Sequence, residues 1–438
     1  MKLSETRRVA VAVFVVTFAV YIFPFVYDLA YKPFFTWTAA QDIASTSLLP
    51  IALLEHGDFA LDQFREFYKT FDNTYFVAEV NGRLVSRSPV AAAVLAVPFY
   101  GVPLASGWIA HPPNAWLTYP WTGYFVAKFA AALITALAVL MLFFCARELA
   151  DTRTSAALAL VFAFGTSAWS TASQALWQQT PSLLFQLIGI WFLLRGRRKG
   201  AYAVAPAAFF FSAATISRPN NAIPALLFTL YVVVEYRRAF LRWIAWSIPP
   251  VLFFLGYNAT YNGSPFVIGY QDGVLQYTTV PQLEAILGLL FSPSRGLFVY
   301  SPFFILAVLG VWQARIEKER FFYLLAGLTA GFEVFLLSTF KVWDGGWGYG
   351  TRMLTDTLPY LTLLLVPVLV YLRGVARFAF WVSLVYAVLL QSFGLWDYGV
   401  RWHWHWNNLA YNVWDIAENE PLFYFKQYVA MTKHFLTR

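Results

Sequence analysis

Long runs of uncharged, mostly apolar residues recur along the chain, and short charged stretches separate them. A helix that crosses the hydrocarbon core of a bilayer needs about 20 mostly apolar residues. The runs cover residues 9–27, 122–144 (with Lys128 inside), 154–194, 200–217, 219–234, 243–271, 296–314, 321–340 (with Glu333 inside), 357–371 and 378–396. Residues 154–194 suffice for two helices, since their polar middle, residues 170–182, predicts a turn. The pattern therefore predicts an all-α polytopic membrane protein with about eleven transmembrane helices.

The basic residues predict how these helices are oriented. Seventeen of the 31 Lys and Arg residues fall at the N-terminus and in every second loop, and these loops are short. Such loops are typical of the cytoplasmic side. The transmembrane domain then covers residues 1–395, with a large extracytoplasmic loop at 30–121, and residues 396–438 form an extracytoplasmic tail. This orientation requires the short, proline-interrupted run at 89–105 to lie in the outer interface rather than to cross the membrane.

Composition agrees with the hydropathy pattern. Only 12% of the residues are charged, 59% are hydrophobic, and the mean hydropathy is +0.57. Soluble domains carry roughly 25% charged residues, so a soluble fold is excluded. The single cysteine, Cys145, excludes an intrachain disulfide and a cysteine-based metal site. The net charge of +8 fits cytoplasmic loops rather than binding to nucleic acid.

The large first loop contains two local signals. Asp42 begins a stretch with apolar residues at helical spacing, which predicts a helix on the membrane surface. At that position Asp42 is either a helix N-cap or a general base near the interface. The Asn81-Gly82 pair between alternating apolar residues predicts a β-hairpin. This hairpin would return Arg87 to the membrane, where it binds either a specific anionic group or the phosphates of the bulk lipid.

Later extracytoplasmic turns place basic residues among aromatic and small ones. They are interface anchors or parts of a binding site. Residues that only anchor a protein at the interface do not require four glycines close together. The turn at 341–356 therefore favours a binding site. It contains Gly345, Gly346, Gly348 and Gly350, the flat side chains Trp343, Trp347 and Tyr349, and the cations Lys341 and Arg352. Flat aromatic rings suit sugars, and a guanidinium suits phosphate.

Ionisable residues inside predicted spans normally face a cavity or a partner. Lys128 lies near the outer end of the second span and suggests a cavity with an anionic ligand, whereas Glu333 suggests a contact between helices. His403 and His405 are two residues apart and do not share a helix face, so no metal site is indicated.

Five segments resemble the GT-C membrane glycosyltransferases, in particular bacterial relatives of protein mannosyltransferases and aminoarabinose transferases. The segments are DIASTSLLPIALL (42–54), SRSPVAAAVLAVPFYGVP (86–103), ASQALWQQTPSLLF (172–185), FSPSRGLFVYSP (291–302) and WDGGWGYGTRMLTD (343–356). Gln179 stands where relatives often carry histidine. Gln41 precedes Asp42, so the usual pair of acidic residues is not evident and a divalent metal, although possible, is not indicated.

The resemblance implies an inverting transfer of a sugar from a polyprenyl-phosphate donor to a hydroxyl of a glycan, glycolipid or protein. The reaction would occur at the outer face of a bacterial cytoplasmic membrane, with no certain cofactor and no nucleic acid. Asp42 would be the catalytic base. Donor phosphate ligands would come from Arg352, Lys128, Arg295, Arg87, Arg218 and Lys341. Sugar or acceptor contacts would come from Trp343, Trp347, Tyr349, Gln178 and Gln179.

Other functions are compatible with many membrane spans. A transporter or lipid flippase for a glycolipid or anionic substrate predicts matching halves with interrupted helices, and no such repeat is evident. A polysaccharide polymerase or ligase would carry its large loop late in the chain. A scaffold without activity would not need charged turns on one side only.

Overall fold

Helices form almost all of the regular structure in the computed structural model, which describes residues 5–31, 41–71, 74–112, 118–267, 278, 280–397, 400–406 and 412–436. Parts of the predicted first loop (32–40, 72–73 and 113–117) and of the predicted C-terminal tail (398–399, 407–411 and 437–438) lie outside the described residues. The basic residue Lys2, used to predict the orientation, also lies outside them.

Nineteen helices occur in this part of the chain. They are α1 (Glu5–Tyr31), α2 (Ala44–His56), α3 (Arg65–Tyr68), α4 (Ala91–Ala105), α5 (Trp121–Leu149), α6 (Thr152–Phe164), α7 (Gln179–Lys199), α8 (Ala207–Ser217), α9 (Ala222–Glu235), α10 (Phe240–Tyr261), α11 (Leu283–Phe291), α12 (Leu297–Tyr300), α13 (Ile305–Gln313), α14 (Arg320–Leu337), α15 (Leu358–Leu364), α16 (Val366–Leu369), α17 (Gly374–Asp397), α18 (Val400–His405) and α19 (Glu420–Leu436).

Six helical segments are long and apolar enough to cross a membrane. They are Glu5–Ala30, Trp121–Leu149, Arg237–Tyr261, Arg320–Leu337, Arg352–Leu369 and Gly374–Leu395. Four shorter apolar helices, Ala91–Ala105, Thr152–Phe164, Ala201–Ser217 and Pro302–Ile316, fall below the length of a full crossing. The chain is thus a multi-pass α-helical membrane protein by length and composition of its helices, and eleven crossings remain a prediction.

Apolar side chains on the outer surfaces of these helices support the membrane assignment. On α10, Leu241 is 81% exposed, and on α17 Val375 and Phe378 are 84% and 70% exposed. A soluble protein rarely leaves such a continuous apolar surface in water. In a bilayer the same side chains contact lipid, and no burial within the protein is required.

The chain divides into two units. The first contains the described parts of residues 1–32, 40–159 and 172–275. Within it α5 packs against α1 and α7, α8 packs against α7 and α10, and α2 packs against α4 and α5. The packed surface of α5 is rich in buried small residues, including Ala127, Ala130 and Ala131, and small side chains allow membrane helices to approach closely.

The second unit contains residues 160–171 and the described parts of residues 276–438. Within it α14 packs against α15, α13 packs against α15 and α16, and α17 packs against α19. A Cβ atom at Gly310 would lie 1.9 Å from the carbonyl oxygen of Leu364, so the contact of α13 with α15 requires a glycine there. α17 and α19 belong to this same unit, and the predicted boundary between membrane domain and tail at residue 395 stays a prediction.

The predicted hairpin is present in the first unit. Strands β1 (Val77–Val80) and β2 (Arg83–Ser86) pair antiparallel, with Val77 opposite Ser86. The turn residues Asn81 and Gly82 have φ angles of 52° and 79°. Two consecutive positive φ angles match a type I′ turn, which Asn-Gly favours. The segment predicted to lie in the interface forms α4, whose 15 residues include Pro98 and Pro103.

Candidate functional site

The predicted base, Asp42, lies in a 3₁₀ turn (Gln41–Ile43) that directly precedes α2. The phenol of Tyr75 donates a hydrogen bond to Oδ1 of Asp42. Ser88 Oγ donates to the backbone carbonyl of Asp42 across 3.2 Å. The side chain of Asp42 is half-buried. The carboxylate is therefore held by a residue just before the hairpin, and its backbone is held by a residue just after it.

The end of β2 is fixed to the start of α2. Ser86 Oγ lies 2.9 Å from Ser45 Oγ and 2.9 Å from the carbonyl oxygen of Ser88. Arg87 is half-buried, and its backbone N–H donates to the carbonyl of Phe76 across 3.0 Å. We call Asp42, Ser45, Tyr75, Ser86, Arg87 and Ser88 the Asp42 cluster. The hairpin thus brings one carboxylate and one guanidinium to the same local region.

The turn between α6 and α7 meets the first turn of α2. Thr46 Oγ1 donates to the carbonyl oxygen of Leu176 across 2.9 Å. The next polar residues are Gln178, which is half-buried, and Gln179, which is buried and begins α7. Two of the predicted sugar or acceptor contacts therefore lie within three residues of a direct contact with α2.

Arg218 lies at the same end of α7 as these glutamines. It follows the last residue of α8, and its side chain is buried. Nearby, the amide of Asn221 donates to Ser182 Oγ on α7 across 2.9 Å. The first unit therefore gathers Asp42, Arg87, Gln178, Gln179 and Arg218 on connected segments.

Lys128 forms a buried ion pair within the first unit. Its Nζ lies 3.0 Å from Oδ2 of Asp28 on α1, and the two side chains are 8% and 2% exposed. A charge in an apolar environment is costly unless it is paired, and this pair joins α5 to α1. The geometry favours a structural role for Lys128, so we leave it out of the proposed phosphate site.

Arg295, in the second unit, is also buried and also forms an ion pair. It is 2% exposed, and its Nη1 lies 2.5 Å from Oε2 of Glu420. Its Nε donates to the carbonyl of Asp344 across 2.9 Å, and Nη1 donates to the carbonyl of Ser294 across 2.8 Å. Nη2 lies 3.4 Å from Nε2 of His403. These contacts favour a structural crosslink for Arg295 over its predicted role as a phosphate ligand.

Glu420 completes this crosslink at the start of α19. Its Oε2 accepts from the backbone N–H of Gly350 across 2.9 Å and from the phenol of Tyr300 across 3.1 Å. Its own N–H donates to Ser294 Oγ across 3.1 Å. Complete burial raises the pKa of Glu420, and Arg295 offsets part of this rise. We call Arg295, Glu420, Tyr300 and Gly350 the Arg295 hub.

The backbone conformation and the packing of the turn at 341–356 explain why it contains glycines. Gly345 and Gly350 have φ angles of 80° and 57°, which residues with a Cβ rarely adopt. A Cβ at Gly350 would also lie 2.7 Å from the ring of Tyr300. The glycines were predicted to allow a ligand to approach, and in the structure Gly350 allows a tyrosine to approach.

The predicted sugar-binding aromatics fall into two classes. Trp343 is buried with its ring against Gly288, and Tyr349 is fully buried and donates to the carbonyl of Leu390 across 2.5 Å. Only Trp347, 38% exposed, presents a ring surface, and it stacks on His403 with centroids 5.7 Å apart. Trp343 and Tyr349 therefore serve packing in this structure.

Two predicted phosphate ligands in this unit remain accessible. Lys341 is exposed, and Arg352 is half-buried, with Nη2 donating to the carbonyl of Gly345 across 2.7 Å. Arg352 begins a 3₁₀ segment, Arg352–Thr357. The two cations therefore remain candidates, and nothing in the geometry assigns either of them to a phosphate.

Metal ligation has no support in the described part of the chain. No group of three or more His, Cys, Asp or Glu side chains there could hold a metal ion. His403 contacts Trp347 and Arg295, and His405 lies against Phe423 with centroids 5.4 Å apart. The two histidines thus have different surroundings.

Three partners were not anticipated from the sequence. Tyr75 holds Asp42, Asp28 pairs with Lys128, and Glu420 pairs with Arg295. Asp28 carried a usable signal, because it directly follows the first apolar run and lies on the same predicted side as Lys128. Tyr75 and Glu420 carried none, since their partners lie 33 and 125 residues away.

Comparison with known proteins adds no family assignment. No protein-family model matches the chain, and no curated protein matches it.

Proposed function

We propose that this protein is an inverting glycosyltransferase that uses a polyprenyl-phosphate sugar as donor. The observation that carries the proposal is the convergence in the first unit of Asp42, the hairpin end with Arg87, and the turn that leads to Gln178. The resemblance to the GT-C glycosyltransferases assigns residues of all three segments to the same reaction. Hydrogen bonds join the segments that carry the carboxylate, the cation and the amides, and this supports the proposal.

The reaction assigns a role to each of these groups. The hydroxyl oxygen of the acceptor attacks the anomeric carbon of the sugar, and the bond from that carbon to the phosphate oxygen breaks with its electron pair leaving on the phosphate. Asp42 accepts the hydroxyl proton. Arg87, with Arg218 as the next candidate, stabilises the charge on the departing lipid phosphate. Gln178 and Gln179 supply hydrogen bonds to sugar hydroxyls.

The first test replaces Asp42. Asp42→Asn preserves size and removes the base, so transfer should fall about 100- to 10,000-fold. The purified protein is assayed in vesicles with a panel of polyprenyl-phosphate-linked sugars and lipid, glycan and peptide acceptors. The matched control is Glu66→Gln, because Glu66 is another first-loop carboxylate and forms an exposed ion pair with Lys69. Equal activity of Asp42→Asn and the control would disprove the base assignment.

A cellular experiment covers acceptors missing from the panel. The glycan and glycolipid profile of cells that lack the gene is compared with that of cells complemented by the native protein or by Asp42→Asn. The proposal expects one sugar modification to vanish in the deletion and to return only with the native protein. An unchanged profile in the deletion would argue against a glycosyltransferase.

The side of the membrane is tested separately. In a Cys145→Ser background, Thr70→Cys, at an exposed position of the first loop, should react with an impermeant thiol reagent added outside the cell, and Arg197→Cys should be protected. The reverse pattern would place the Asp42 cluster in the cytoplasm and exclude a donor site at the outer face.

One observation favours the transporter or flippase alternative. Buried ion pairs between spanning helices are common in transporters, where they mark substrate or proton pathways, and Lys128 with Asp28 is such a pair. Transport of a fluorescent polyprenyl-phosphate sugar across proteoliposomes without any acceptor would support this alternative. A requirement for an acceptor, with release of the free lipid phosphate, would support transfer.

A further inference from the structure

Two basic turns of the first unit lie against each other at the ends of α7 and α9. The first turn closes α7 and contains Arg197, Arg198 and Lys199. The second contains Arg237 and Arg238 and leads into the first turn of α10, which contains Arg242. A Cβ at Gly196 would lie 3.2 Å from the ring of Tyr236 and 2.3 Å from Val204. The two turns are therefore in van der Waals contact although about 40 residues separate them in the chain.

All six cations of these turns are exposed. Arg198 pairs with Glu148 across 2.6 Å. Lys199, Arg237, Arg238 and Arg242 form no ion pair within the described residues. We call the six cations the basic patch. Glu148 and the exposed Glu235 supply less negative charge than the patch supplies positive charge, so it attracts anions.

One cation of the patch is already positioned. The guanidinium carbon of Arg242 lies 3.8 Å from the centroid of the Tyr202 ring. This cation–π contact holds the arginine without neutralising it, and Tyr202 is itself exposed. The arginine can thus donate hydrogen bonds to an anion with little further loss of side-chain freedom.

Apolar surface continues directly from the patch along α9 and α10. Val233, Val234, Leu241 and Ile244 are all exposed large apolar residues. A soluble anion such as a nucleotide has no use for such a surface. A phospholipid matches it, because its phosphate would meet the arginines while its acyl chains cover the apolar side chains.

We propose that the basic patch is a binding site for an anionic phospholipid. The site is separate from the Asp42 cluster and does not depend on the proposed transfer reaction. It requires phosphate recognition by Arg237, Arg238 and Arg242, with the acyl chains lying along α9 and α10.

The test compares lipid retention on the purified full-length protein by native mass spectrometry during titration with phosphatidylglycerol or phosphatidylcholine. The native protein should retain phosphatidylglycerol preferentially. The triple variant Arg237→Gln, Arg238→Gln, Arg242→Gln should bind it about 100-fold more weakly, because each arginine near the membrane surface contributes about fivefold. The charge-preserving variant Arg237→Lys, Arg238→Lys should keep most of the affinity.

A matched control uses a second basic turn of the chain. Arg315→Gln, Lys318→Gln, Arg320→Gln removes the same charge from a turn that also contains Glu317 and Glu319. This variant should retain phosphatidylglycerol as the native protein does.

Three results would overturn the proposal. The first is equal binding of both lipids by the native protein, a result that does not depend on whether a variant folds. The second is an equal loss of binding in both triple variants, which would indicate a general effect of net charge. The third is complete displacement of the lipid by inorganic phosphate at equal concentration, which would identify a site for a free anion.

Discussion

The sequence predicts a functional residue in both the Asp42 cluster and the Arg295 hub, yet the surroundings of these two residues differ. Arg295 is fully enclosed and directs its guanidinium at Glu420 and at backbone carbonyls. Asp42 is half-buried and is held by the hydroxyl of Tyr75. A charged residue in a turn can thus be enclosed as a crosslink or remain partly accessible. The degree of burial distinguishes the two.

The difference has an energetic reason. A buried charge must satisfy its hydrogen-bonding capacity within the protein, or it destabilises the fold. Once Ser294, Asp344 and Glu420 have done so, little of the Arg295 guanidinium is available for a ligand. A half-buried carboxylate such as that of Asp42 is partly solvated, so it can be held within the protein and still meet a substrate.

The largest expected effect comes from breaking the Arg295 hub. Arg295→Met leaves the carboxylate of Glu420 buried without its cation and should lower the free energy of unfolding by about 3–5 kcal/mol. Thermal or denaturant unfolding in detergent measures the change. Lys341→Met is the control, because Lys341 is exposed in the same unit and its loss should change stability by about 0.5 kcal/mol or less. Native stability combined with weakened donor binding would restore Arg295 as a phosphate ligand.

The Lys128–Asp28 pair tests whether the same rule applies to spanning helices of the first unit. Lys128→Met alone should destabilise by about 3 kcal/mol, because Asp28 then remains buried without a cation. The double variant Lys128→Met, Asp28→Asn should be more stable than either single variant, because no charge is left unpaired. Additive losses in the double variant would show that the pair is not coupled.

A smaller effect should follow from a methyl group in the glycine-rich turn. Gly350→Ala meets both an unfavourable positive φ and the Tyr300 ring, so a loss of about 1–3 kcal/mol is expected. Gly101→Ala is the matched control, since a Cβ there has open space within α4 and should be neutral or stabilising. If both variants have native stability, the turn adapts readily, and its glycines serve ligand access after all.

These two regions also show what a sequence can and cannot predict. The helical, multi-pass class follows from apolar runs, and the hairpin follows from Asn81-Gly82, because both signals are local. The number of crossings is harder to predict, since helices such as α6 and α8 are shorter than the apolar runs that contain them. A continuous apolar run in the sequence does not show where a turn or a 3₁₀ segment interrupts the helix.

The roles of single site residues were the least predictable part. Tyr349 and Trp343 were chosen as flat surfaces for a sugar, and both are buried in packing contacts. Whether an aromatic residue in a turn points outward depends on contacts such as that of Tyr349 with Leu390, 41 residues away. Pairings over such separations depend on tertiary structure and leave no local pattern.

The smallest expected effect sharpens the description of the Asp42 cluster. Tyr75→Phe removes one hydrogen bond to the carboxylate, so stability should fall by only about 0.5–1.5 kcal/mol. Transfer should fall about tenfold, because a less restrained carboxylate meets the acceptor hydroxyl less often in the reactive geometry. The measurement is the transfer rate at saturating donor, together with unfolding of the same sample.

Tyr68→Phe provides the matched control for this variant. Tyr68 also belongs to the first loop, and its buried hydroxyl has no hydrogen-bond partner within the described residues. Removing that hydroxyl should leave transfer unchanged and stability equal or higher, because an unsatisfied buried polar group is lost. If Tyr75→Phe behaves like Tyr68→Phe in both measurements, Tyr75 does not position Asp42. The difference between the proposed base and the Arg295 hub would then rest on burial alone.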